Sequence, residues 1–181
     1  MLDKYGVGQD PLCYPGTTVL RNRFDLTDDQ ALHDAERTLS EIAASAIDFD
    51  LPPYDLPYLQ RIHRTLFVDI YEWAGELRTV DISKGNTHFC DVTRIEAESA
   101  KLFRRLAEAN WYEGMTRQQL TCAVAELYGD LNMIHPFREG NGGRLRLSTH
   151  DRDFPALYRP GHQIARPERD TCAKPPQTKK G

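Results

Sequence analysis

The stretch from His135 to Arg146, HPFREGNGGRLR, gathers an imidazole, a carboxylate, a glycine-rich turn and two arginines in one short run. An imidazole with an unperturbed pKa of about 6.5 accepts a proton near neutral pH, so His135 is the candidate general base. The turn Gly140, Asn141, Gly142 exposes backbone N–H groups. If a helix starts there, its unpaired donors and positive dipole end make an anion cradle. Glu139, just before the turn, offers the hard oxygen that Mg²⁺ prefers when it bridges phosphate oxygens. Arg144 and Arg146 add planar, permanently charged donors suited to phosphate. Each residue alone has a duller use. A histidine ending a helix serves the dipole, Arg138 and Glu139 are ordinary solvated charges, and a glycine run stops a helix. Their joint spacing is what points to polyphosphate chemistry.

That chemistry needs elements to position it. Residues 1 to 26 carry Gly6, Gly8, Pro11, Pro15 and Gly16 and read as an extended, turn-rich entry. Thr27 with Gln30 has capping-box spacing, and Leu32, Ala35, Leu39, Ile42, Ala43 and Ala46 recur at helical intervals. Three prolines between Asp50 and Pro57 break the pattern. Leu59, Ile62, Leu66, Phe67, Ile70 and Ala74 then predict a second helix ending near Gly75. Thr93 with Glu96, and Thr116 with Gln119, head two more helical runs. The last carries a stripe of Leu120, Val124, Leu127, Leu131 and Ile134 and delivers His135 at its C-terminal end. Between the second and third helices, Val80, Ile82, the Lys84-Gly85-Asn86 turn, Thr87 and Phe89 predict a short hairpin. Its edge would offer main-chain hydrogen bonds to an incoming peptide, although a connecting loop is the plainer reading. His63 reads as a packed or flanking residue of the second helix, and Trp73 and Trp111 as core.

With 23 basic against 27 acidic residues the formal net charge is −4, which argues against nucleic acid or a membrane surface as the main partner. Cys13, Cys90, Cys122 and Cys172 form no CxxC pair, so neither a zinc site nor a disulfide framework is suggested. The N-terminus has no apolar run like a signal peptide, and no span of membrane length occurs. A cytoplasmic protein is expected.

The chain resembles the Fic family, whose signature is His, any residue, Phe, any residue, Asp or Glu, Gly-Asn-Gly-Arg, two residues, Arg. His135, Phe137, Glu139, Gly140, Asn141, Gly142 and Arg146 fall in register, whereas Gly143 stands where the family has arginine. The run from Ile70 to Cys90 looks like the family's helix end and flap, and YPGTTVLRN, from Tyr14 to Asn22, like the opening of single-domain bacterial Fic toxins. The resemblance implies a mostly α-helical bundle with a short β-hairpin flap. It implies a protein adenylyltransferase that moves AMP from ATP to a hydroxyl of a target protein, with His135 as base and Mg²⁺ held by Glu139. Gly140, Asn141, Gly142, Arg144 and Arg146 would bind the nucleotide. Ser83, Lys84, Gly85, Asn86, Thr87 and His88 would form the target-binding flap. It further implies a toxin restrained by a small separate antitoxin, since the family's inhibitory string of Ser or Thr, three residues, Glu and then Gly or Asn does not occur here. In that subgroup the targets are type II topoisomerase subunits.

Two alternatives stay open beside this reading. A phosphotransferase of the related Doc type is one, although Asn141 between two glycines argues against it. A catalytically impaired remnant that only binds a partner is the other, because Gly143 removes a family arginine. Inserting one glycine would make Arg144 that arginine but would leave Leu147 in the second arginine's place, so the ungapped register is preferred. Residues 1–147 are read as the Fic-like domain, and 148–181, rich in proline and without helical periodicity, as an atypical, poorly ordered tail.

Overall fold

The computed structural model describes residues 10–47 and 51–141. The expectations for Gly142, Gly143, Arg144, Arg146 and the tail lie outside the described residues. Among the described residues four α-helices are formed: α1 (Asp29–Ala44), α2 (Leu56–Phe67), α3 (Ile95–Glu108) and α4 (Arg117–Ile134). Between α2 and α3 lies one hairpin, β1 (Ser83–Lys84) with β2 (Thr87–His88). The strands are antiparallel, with Ser83 opposite His88 and Lys84 opposite Thr87. Gly85 turns between them at φ +58°. The expected helical architecture with a short hairpin is therefore present.

Helix boundaries follow local chemistry, in places against the expectation. α1 is capped by Asp28, whose carboxylate accepts the Ala31 N–H, and not by Thr27. A carboxylate one residue further on fits the cap at least as well as the hydroxyl. α2 is capped by Asp55, with Pro57 in its first turn. It stops at Phe67 and not near Gly75. Ile70 and Ala74 remain buried, so their apolar spacing reports burial on returning turns. Before α3, Asp91 takes the Thr93 N–H at the head of a 3₁₀ turn, and α3 starts with no side-chain cap, so the Thr93–Glu96 box does not form. The Thr116–Gln119 box does form, with both reciprocal bonds.

α2 is central, packing on α1 on one side and α3 on the other, while α3 packs on α4. One apolar cluster joins Val19, Leu20, Leu32, Leu66, Phe67, Ile70 and Tyr71, tying the entry segment and α1 to α2. A second joins Leu59, Ile95, Leu102, Leu131, Ile134 and Phe137. The residues just after α4 are thus anchored in the second cluster. Cys13 is buried in the first cluster and Cys90 is half-buried beside the second. Among the described residues no helix is long and apolar enough to cross a membrane.

Candidate functional site

α4 ends on His135, whose backbone turns left-handed at φ 50° and ψ 61° while its N–H bonds the Leu131 carbonyl. The ring is buried and stacks on Phe89, at 3.8 Å between centroids and 20° between planes. Nδ1 lies 3.0 Å from the Asn132 carbonyl. A carbonyl can only accept, so Nδ1 carries the proton and Nε2 the lone pair. Burial pushes the imidazole pKa below its ordinary value. The Asn132 bond and the Glu139 charge oppose that, and the charges of Arg78 and Lys84 add to it. The group is accordingly a neutral base near pH 7.

The next six residues are held from three directions. The Asn141 side chain accepts the Phe137 N–H at 2.8 Å and donates to the Phe137 carbonyl at 2.6 Å, closing a loop on itself. That side chain thereby braces the turn, with one N–H of its amide nitrogen and its amide oxygen both engaged within it. Gly140 sits at φ +79°, where a Cβ would fall 2.6 Å from two ring atoms of Phe67. Only glycine fits that approach. The half-buried Glu139 receives the Gly140 N–H on Oε1 at 3.2 Å.

His63, on α2, braces the turn from below. Its Nδ1 accepts the Gly75 N–H at 2.9 Å, so its Nε2 carries the proton that reaches the Glu139 carbonyl at 3.0 Å. The ring stacks on Phe137 at 3.9 Å. Burial lowers its pKa to about 4, which keeps it neutral, while the Glu139 carbonyl and carboxylate pull the other way. Arg138, read from sequence as a solvated charge, is 1% exposed. It is ion-paired with Asp10, and both side chains are 2% exposed.

The hairpin reaches the site through its feet. The Arg78 N–H bonds the Pro136 carbonyl at 2.9 Å, and the Cys90 N–H bonds the Met133 carbonyl at 3.0 Å. Lys84, Gly85, Asn86, Thr87 and His88 are exposed and Ser83 is half-buried, so the tip faces outward while Phe89 touches His135. His135, Glu139, Gly140, Asn141 and the hairpin therefore share one region. Sequence reasoning missed Arg78, Asp10 and the bracing role of His63. The available signal for His63 was its place among Leu59, Leu66 and Phe67, since a buried polar group on an apolar face needs partners. Trp73 lies in the core as expected, but Trp111 is only half-buried.

No group of three or more His, Cys, Asp or Glu side chains is gathered among the described residues. The Glu139 carboxylate could hold Mg²⁺, which completes its shell with phosphates and water.

The model of the Fic/DOC family matches residues 53–150. The "Probable protein adenylyltransferase Fic" of Escherichia coli (strain K12) is 39% identical over 147 residues, 81% of this chain and 74% of that protein. Protein adenylyltransferase VbhT of Bartonella schoenbuchensis is 35% identical over 149 residues, 79% of this chain but 30% of that longer protein. Among solved structures, the N-terminal Fic domain of a VirB-translocated Bep effector from Bartonella quintana, with bound ADP, superposes with a TM-score of 0.68 at 27% identity, covering 76% of this chain and 72% of that one. BepC from Bartonella tribocorum, with bound AMPPNP, gives a TM-score of 0.67 at 27% identity over the same shares, 76% and 72%. With the matched segment running through α2, the hairpin, α4 and the turn after it, the chain belongs to the Fic/DOC family.

Proposed function

We propose that this chain is a protein adenylyltransferase that moves AMP from ATP to a hydroxyl side chain of a target protein, with His135 as the base. The observation that carries the reading is the state of His135: buried, held through Nδ1 so that Nε2 bears the lone pair, and stacked on the hairpin's Phe89. Relatives named as adenylyltransferases and related domains holding ADP and AMPPNP support it.

In the step proposed, the target hydroxyl gives its proton to His135 Nε2 as its oxygen bonds the α-phosphorus. The bond from that phosphorus to the bridging oxygen breaks, and pyrophosphate leaves. The backbone N–H of Asn141 and, once exchanged from the Glu139 carboxylate, that of Gly140 would bind the phosphates, with Gly142, Arg144 and Arg146 as further nucleotide-binding residues. Glu139 is the carboxylate that would hold Mg²⁺, which when bound neutralises charge on the phosphates. The segment Ser83, Lys84, Gly85, Asn86, Thr87, His88 registers the target. Positioning and charge neutralisation supply most of the rate.

Incubating the full chain with a bacterial lysate and ATP labelled at the α or the γ position tests this. Label from the α position, lowered about 10²- to 10⁴-fold by His135→Ala, is the expected result. Transfer from the γ position would instead make it a phosphotransferase, and no transfer from either would make it a binding remnant. The finer reading rests on the family resemblance: a cytoplasmic toxin, a small antitoxin protein that supplies an inhibitory helix, and type II topoisomerase subunits as targets. Labelling of purified topoisomerase subunits at tyrosine is its direct check.

A further inference from the structure

One buried cation beside the site has no part in the step just described. Arg78 lies past the turn that follows α2 and is 2% exposed. Its Nε donates to the His135 carbonyl at 2.8 Å, and its Nη1 to the Val80 carbonyl at 2.8 Å. Its Nη2 donates to the Cys90 carbonyl and, at 3.4 Å, to that of Ile134. One planar group thus takes carbonyls from both feet of the hairpin and from the last residue and cap of α4.

The chemistry explains why an arginine is there. The C-terminal end of a helix carries unsatisfied carbonyls and the negative end of its dipole. α4 has no basic residue in its last turn, so the complementary charge arrives from elsewhere in the chain. Arginine presents five donors in a rigid fork, whereas lysine offers three from a point. A hairpin of two residue pairs is marginal alone and cannot fix its own position. Its distance from His135 must be set by what ties its feet.

We propose that Arg78 is a positioning residue for the transfer: it fastens the hairpin's stem to the carbonyls around His135, so that whatever the hairpin registers stays at a set distance from the base. The proposal rests on the reading given under Proposed function and adds a residue to it.

The test uses Arg78→Lys and Arg78→Gln in the full chain, followed by thermal unfolding, calorimetric binding of ADP, amide exchange and transfer from α-labelled ATP into lysate proteins. In Arg78→Lys we expect a folded protein with ADP affinity unchanged and exchange faster by about tenfold at residues 79–90 and 133–135 alone. Transfer should fall on the order of a hundredfold, the size of loss that a small misplacement causes, and saturating ATP should not restore it. Transfer that survives in Arg78→Lys overturns the proposal. So does transfer that falls only in step with ADP affinity, and so does loss of folding in both variants, which would make Arg78 a determinant of the whole fold. Failure of the underlying reading looks different, since the unsubstituted chain would then transfer no AMP at all.

Discussion

Replacing Gly140 by alanine tests how tightly the turn after His135 is built. Two costs follow from the geometry of the turn. The backbone sits at φ +79°, a left-handed conformation that costs a residue with a Cβ about 1–2 kcal/mol. The new methyl would also lie 2.6 Å from Phe67 Cε2 and Cζ and 3.2 Å from His63 Nε2. Phe67 cannot retreat, because it is 2% exposed and packed between His63 and Tyr71. Overpacking of that kind adds about 1–3 kcal/mol, for a total of about 2–5 kcal/mol. Gly85→Ala is the internal control: its φ is +58° with nothing within 4 Å of the added carbon, so only the backbone part, about 1–2 kcal/mol, applies. Urea unfolding at pH 7 reads both as shifts in midpoint at constant slope. Phe67→Leu in the Gly140→Ala background should return part of the steric cost, seen as coupling in a double-mutant cycle. If the two glycine variants lose the same stability, the close approach of Phe67 does not constrain the turn and the reasoning fails.

Two other perturbations probe the supports of that turn. His63 has its pKa lowered to about 4 by burial against an unfolded value near 6.5. Its contribution is therefore complete above pH 6.5 and is lost as pH falls towards 4, by about 3 kcal/mol. His135, depressed by burial in the same direction, adds slope of the same sign, so the diagnostic quantity is the difference from His63→Gln. That variant should show a flatter stability profile between pH 7 and 4.5, and an unchanged profile would reject the assignment. Asp10→Asn should destabilise by about 3–5 kcal/mol, because it removes the carboxylate facing a buried guanidinium. Combining it with Arg138→Met should recover part of the loss in the same denaturation assay. A cost below about 1 kcal/mol for Asp10→Asn would place the pair among ordinary surface bridges.

Much of the site was legible because its signals are local. Thr116 and Gln119 formed their box, the stripe from Leu120 to Ile134 formed one helix, and His135 arrived at its end. Lys84-Gly85-Asn86 turned a hairpin. What was misjudged depended on neighbours distant in sequence. Ile70 and Ala74 continue the apolar spacing of α2 after the backbone has left the helix, so burial imitated periodicity. The Asp10–Arg138 pair joins positions 128 apart, which no local pattern encodes. Arg78 has no helical or strand register to mark it, and its role appears only once both the hairpin and α4 are in place. The bracing of the turn by the Asn141 amide likewise shows only once the loop is closed.

The way α4 stops has a bearing on turnover. Three of His135's hydrogen-bonding groups go to three different residues: the N–H to Leu131, the carbonyl to Arg78 and Nδ1 to Asn132. The imidazole thus surrenders its rotational freedom once, when the polypeptide folds, and need not surrender it again for every molecule processed. Any change that let the coil run one residue further would swing the ring away from Phe89 and return that ordering cost to each catalytic cycle.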